Sequence, residues 1–302
     1  MNDFFTTPTG TLRPLWRFAL SALATYGVIF CLPYVTYSLG ISERFVWAVD
    51  RSLTALLLFA IYIWFLRLLD RSVSPVADLG LDRTRALPQL LQGILFGGAL
   101  VAIAVMGSAL LGKYRVEVVG GSVIVPLILV TVTLAAGALA EELAFRGYPF
   151  QRLVDAIGPV GAILAMSVLF SAIHAFNPSV SRLALLNTVL IGGLFSAAFL
   201  MTRSLWLVWG MHFGWNFMLG VVAGLPVSGL KMFAVVLRGK AQGPVWLTGG
   251  DYGIEGSLNA TLVILLGTLL LFTLLRRKRH TSPGIDRSIQ VNEGCISKPE
   301  GE

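Results

Sequence analysis

The sequence predicts an all-α polytopic membrane protein, with about eight transmembrane helices in one bundle around a polar intramembrane cavity. Three observations carry that reading. Hydrophobic residues make up 56% of the 302 positions and charged residues only 13%, against about 25% charge in soluble domains. The apolar residues fall into runs of a length that crosses a membrane. A few ionisable residues interrupt those runs, where they are costly unless they pair or face a wet cavity.

Crossing the hydrocarbon core takes about 20 residues at 1.5 Å each. Candidate spans lie near 18–39, 52–69, 89–112, 122–153, 158–176, 183–201, 204–222 and 258–275. In lipid every backbone group needs an internal partner, so these are expected to be helices. The first run is too long for the apolar stretch of a secretory signal and reads as a retained helix. Segment 71–88 holds Pro75, Pro88 and the stretch DLGLDRTR, and reads as a cytoplasmic linker. Segment 223–257 is rich in Gly and Pro, and its apolar piece MFAVVL is too short to span. It reads as a structured outer loop capping the bundle. Residues 281–302 are polar and aperiodic, as in a disordered tail. The expected units are an N-terminal helix pair (1–70), the linker (71–88), the core (89–275) and a basic, then polar tail (276–302). No internal repeat is evident, unlike many transporters.

Net charge is +7. The basic residues are scattered between apolar runs rather than gathered in a patch, which argues against nucleic acid as a partner. Arg13, Arg17, Arg67, Arg71, Arg83, Arg85, Arg203 and Arg276–Arg279 fall on one side of an eight-span arrangement. The positive-inside rule makes that side cytoplasmic, with both termini inside a multi-pass cell-membrane protein. The partners implied are membrane lipid and a protein or peptide substrate. Cys31 lies in the first run and Cys295 in the tail. That gives neither a disulfide framework nor a thiolate zinc site.

Three polar clusters sit inside apolar sequence. The first is AEELAFRGYPFQRL. Glu142 and Arg146 share a helix face, four apart and in the favourable order. Glu141 points about 100° away, with no local cation, free to act as a general base. The second is VLFSAIHAFNP, in which Phe170 and His174 share a face. The third is WGMHFGWNF, where His212 and Asn216 do. Each alone also fits a structural role: an interfacial helix end, a packed histidine, or polar glue between helices.

Depth ties the clusters together. If the fourth helix runs to about Leu153 and turns at Asp155–Gly158, Glu141 lies about 18 Å from the turn and His174 about 24 Å. His212 and Asn216 lie roughly 12 and 18 Å from the same side, counted from Ser204. All four then share one depth band, which requires a long fourth helix bent near Gly147 and Pro149. A carboxylate, two imidazoles and an amide around water suit hydrolysis, with oxyanion stabilisation by imidazole and amide. Glu141, His174 and His212 also match a three-ligand zinc site, although HExxH is absent. No serine sits in a GxSxG setting.

The ordered set Glu141-Glu142-x3-Arg146, Phe170-x3-His174 and His212-x3-Asn216 resembles the CAAX protease and bacteriocin-processing (Abi) family of intramembrane proteases. The RGY, SAIHAFNP, HFGWNF and PVWLTGGDYGIEG contexts resemble bacterial members, over about residues 70–275. The resemblance implies an endopeptidase in which Glu141 activates water, assisted by His174. His212 and Asn216 would stabilise the oxyanion, and Glu142 and Arg146 would shape the site. It leaves open whether the chemistry uses a divalent metal such as zinc or a metal-free glutamate. Two other readings compete: a non-catalytic immunity or scaffold protein of the same fold, and a transporter. The intact acid and imidazole set favours the enzyme, and the lack of paired broken half-helices disfavours the transporter.

Overall fold

The computed structural model describes residues 4–111, 113–119, 124–231 and 237–281, with all side chains among them except those of residues 44, 116 and 277–281. The remainder of the expected tail, 282–302, and most of MFAVVL lie outside the described residues. The chain order is α1 (Pro14–Ser38), α2 (Glu43–Leu68), a four-residue α3 (Pro75–Asp78), α4 (Ala86–Leu110), β1 (Tyr114–Val118), α5 (Ile124–Arg146) and α6 (Tyr148–His174). Then follow α7 (Arg182–Thr202), α8 (Leu205–Phe217), β2 (Leu237–Ala241), a four-residue α9 (Val245–Thr248) and α10 (Leu258–Thr281).

Among the described residues, seven helical segments are long and apolar enough to cross a membrane. One of them, Ile124–His174, is 51 residues long. Straight, it would reach about 77 Å, more than twice the hydrocarbon thickness. It is not straight. Gly158, at φ 80°, turns the backbone into the left-handed region that glycine tolerates. Pro159 then opens the returning helix, where its missing N–H costs nothing. The Phe145 and Phe170 ring centroids lie 5.0 Å apart across the return, so the segment passes twice. The protein is an all-α polytopic membrane protein, and the fold-back at Gly158 lies where the depth argument needed it.

The outward faces are apolar: Leu23 and Phe30 on α1, Leu164 and Val168 on α6, and Leu265, Leu266 and Leu269 on α10 are all exposed. Glu142, Arg146, Ser196 and His212 are buried instead. This inverted distribution is that of a chain solvated by lipid, with polar side chains turned inward.

Helices α4 and α8 pack backbone to backbone. A Cβ on Gly97 would fall 1.9 Å from the Met211 carbonyl oxygen, and one on Gly214 would fall 2.3 Å from that of Ile94. Gly93 and Gly210 make equally close approaches. Two pairs of small residues four apart thus let the helices touch, as membrane helices do without a hydrophobic drive between them. The contact sets the rotation of α8, and therefore the direction of His212 and Asn216.

The two ends of the bundle differ. At one end Arg17 and Arg152 meet Asp70, Arg203 reaches Gln151, and the N–H of Leu205 donates to the Gly80 carbonyl. At the other end β1 pairs antiparallel with β2, Tyr114 with Ala241 through Val118 with Leu237. The Tyr114 hydroxyl donates to the Thr248 carbonyl at 2.7 Å and so ties the sheet to the 223–257 loop. The expected capping loop therefore carries a strand and short helical turns, a pairing that the sequence reading did not anticipate.

Candidate active site

The last helical turns of α5 carry both acids, and the two side chains have different surroundings. Glu142 is fully buried. Arg146, one turn on, donates from Nη1 to both its oxygens at 3.2 and 3.3 Å. His212 Nδ1 lies 2.7 Å from the same carboxylate, on Oε1. A carboxylate accepts, so Nδ1 carries the hydrogen and donates. Arg146 also donates to the Gly192 carbonyl at 3.0 Å and to Ser196 Oγ at 3.3 Å, both on α7. Its guanidinium lies over the rings of Phe170 and Phe195, 4.9 and 5.4 Å from their centroids. Every charge in this knot has an opposite charge and hydrogen bonds, the condition under which burial is tolerated.

Glu141 faces the cavity. Its side chain keeps 34% of its exposure, and Oε2 lies 3.7 Å from His212 Nε2, beyond hydrogen-bond range. Oε2 is nonetheless buried and has no hydrogen-bond partner among the described residues. One imidazole thus bridges the pair: tied to Glu142 by one nitrogen, it turns the other towards Glu141.

His174 ends α6. Its Nδ1 lies 2.7 Å from the Phe170 carbonyl oxygen, which can only accept. The hydrogen is therefore on Nδ1, and Nε2 is left for the cavity. Glu141, His174, His212 and Asn216 all line one cavity of about 210 Å³. That is far more than the roughly 10–15 Å³ a single water needs.

The cavity also contains a residue that the sequence reading missed. Glu255 comes from the loop before α10 and accepts from Trp215 Nε1 at 2.9 Å. Its other oxygen receives the Ser228 hydroxyl at 3.1 Å and the Ser228 backbone N–H. Ser228 takes a left-handed backbone, φ 49°, as it makes that contact. Asn187 secures the loop by donating to the carbonyls of Glu255 and Ser257 at 2.8 and 2.9 Å. Burial pushes the Glu255 carboxyl above the ordinary carboxylate range.

The donor geometry does not favour a metal at this site. Among the described residues, no group of three or more His, Cys, Asp or Glu side chains is arranged to hold an ion. The expected set of Glu141, His174 and His212 shares a cavity, but a structural or catalytic zinc needs its ligands about 2.0–2.2 Å from one point.

Residues 123–218 match the family model described as type II CAAX prenyl endopeptidase, Rce1-like. Over that stretch, about a third of the chain, the sequence is similar to the CAAX protease and bacteriocin-processing family. The matched stretch contains both acids, Arg146, His174, His212 and Asn216, so the family segment and the cavity's polar wall largely coincide. Glu255 lies outside it. No curated protein and no solved structure matches the chain. The likeness is therefore to a family of proteases, and it is confined to that segment.

Proposed function

We propose that the protein is an intramembrane endopeptidase that hydrolyses a peptide bond with water activated by Glu141. One observation carries this reading: a buried carboxylate oxygen without a partner, on the wall of a cavity it shares with two oriented imidazoles and an amide.

The Glu141 carboxylate takes a proton from water as the water oxygen bonds to the carbonyl carbon. Negative charge moves to the carbonyl oxygen. His212 Nε2 and the Asn216 amide stabilise it, the imidazole acting as a donor when protonated. Glu142 supports that form by accepting the Nδ1 hydrogen. The C–N bond then breaks, and the proton held by Glu141 passes to the leaving nitrogen, assisted by His174. The products are a carboxylate and an amine. No step requires a metal.

The basic residues at the Arg17–Asp70–Arg152 end favour placing that end, with both termini, in the cytoplasm. The 223–257 loop, which contributes Ser228 and Glu255 to the cavity wall, would then lie towards the opposite face.

The test is cleavage of a peptide library by purified, lipid-reconstituted protein, read by mass spectrometry. The Glu141→Gln variant keeps the shape and removes the base. It should lose activity by about 10²–10⁴-fold with an unchanged melting temperature. Chelation should leave wild-type activity intact, with no stoichiometric metal by elemental analysis. Normal cleavage by Glu141→Gln ends the mechanism, and loss on chelation that zinc restores replaces it with a metal-dependent one.

A further inference from the structure

Arg51 is a cation that the proposed chemistry does not use. It sits two turns into α2, outside the family segment, and lines the same cavity as Glu141. A charge at that depth in a helix bundle needs a partner or water. Arg51 has little of the first. Its closest carboxylate, Asp50, is 3.9 Å away and is already engaged by the Thr36 hydroxyl at 3.0 Å. The guanidinium makes no hydrogen bond among the described residues. Its one other polar contact is with the Trp47 ring, 5.9 Å to the centroid.

The Arg51 stem packs against the helix that carries Glu141. Gly137 of α5 faces the Arg51 stem, where an added Cβ would meet Arg51 Cδ at 3.7 Å. Gly137 lies one turn before Glu141, about 6 Å along the axis. A group held by the guanidinium would thus lie within about two residues of the bond at Glu141, at roughly 3.3–3.6 Å per extended residue.

We infer that Arg51 is a specificity residue that receives a carboxylate of the peptide substrate, within about two residues of the scissile bond. A planar fork of donors suits a carboxylate, and the charge-assisted bonds are strong where water is scarce. The carboxylate can come from an acidic side chain or from the free C-terminus. This inference rests on the protease reading and deepens it.

The experiment takes a peptide that the wild-type protein cleaves and compares two matched pairs: Glu or Asp against its amide, and a free C-terminus against a C-terminal amide. The wild type should prefer the charged member of one pair by about tenfold or more in kcat/KM, mainly through KM. Which pair shows the preference identifies the source. Arg51→Gln should bring that ratio close to one, and Arg51→Lys should restore part of it. If both ratios are near one in the wild type, Arg51 is no carboxylate anchor. If Arg51→Gln slows charged and uncharged members equally, Arg51 acts as a counter-ion to Glu141 and the inference is overturned. If the wild type cleaves no peptide, the protease reading falls, and the inference falls with it.

Discussion

Among the described residues, a partly exposed charge cluster and a fully buried one differ in a way that separates a brace from a site. Towards one end of the bundle, Asp70 lies between Arg17 and Arg152, and Arg152 also reaches Asp155 at 3.1 Å. That cluster joins α1, the end of α2 and α6 but lines no cavity described here. In the interior, Glu142, Arg146 and His212 form a second ionic knot joining α5, α7 and α8. Both contain a carboxylate oxygen without a hydrogen-bond partner, Asp70 Oδ2 in the first and Glu141 Oε2 beside the second, but only Glu141 lines the cavity. Pairing of charge between helices is therefore not what marks function. The mark is Glu141, a carboxylate beside a saturated knot, facing space.

The comparison assigns different consequences to four acids. Glu141→Gln should show the largest effect on cleavage and none on stability. Glu142→Gln comes next. Removing one partner of a buried pair typically costs about 3–5 kcal/mol, so its melting temperature should fall clearly. Activity per folded molecule should fall less than in Glu141→Gln, because His212 loses orientation rather than the water losing its base. Equal losses of chemistry with unchanged stability in both variants would erase the proposed division of labour. Asp70→Asn should cost less stability, about 1–3 kcal/mol, since Arg17 and Arg152 retain some exposure and can turn towards the headgroups. Its kcat and KM per folded molecule should match wild type. A selective drop in kcat would make the outer cluster part of the catalytic machinery.

Much of the interior knot was open to sequence reasoning because it is written in helical spacing. Glu142 and Arg146 are one turn apart, and the Gly158 turn follows from matching depths. The link from Glu142 to His212 was not readable, since it depends on how α8 is rotated. The cause of that rotation was visible but unread: Gly93 and Gly97 against Gly210 and Gly214, two four-residue spacings of small residues. The strands escaped because β1 pairs with a partner more than a hundred residues away, in a loop with no alternation to reveal it. Glu255 escaped for a related reason. It sits in a glycine-rich loop, where no periodicity indicates which way a side chain points.

Glu255 supplies the smallest expected effect and extends the comparison to a third environment: an acid held by neutral donors rather than by a cation. Its carboxyl is pushed up by burial, against the opposing pull of the Ser228 and Trp215 hydrogen bonds. In an unfolded chain the same carboxyl loses its proton near its ordinary value, about 4.3. Between that value and the raised one, the folded protein holds a proton that the unfolded chain has released. Folding stability from this group is therefore full at the acid end of the window and is lost as pH rises through the folded value. Glu255→Gln cannot titrate, so it should flatten the fall in melting temperature between about pH 5 and neutrality. His174 lines the same cavity, and its Coulombic pull favours the ionised acid. The same scan in a His174→Gln background isolates the carboxyl. A slope there that is identical with Glu or Gln at position 255 would mean that the loop acid holds no proton of its own, and that the cavity's pH response lies with the groups on α5 and α8.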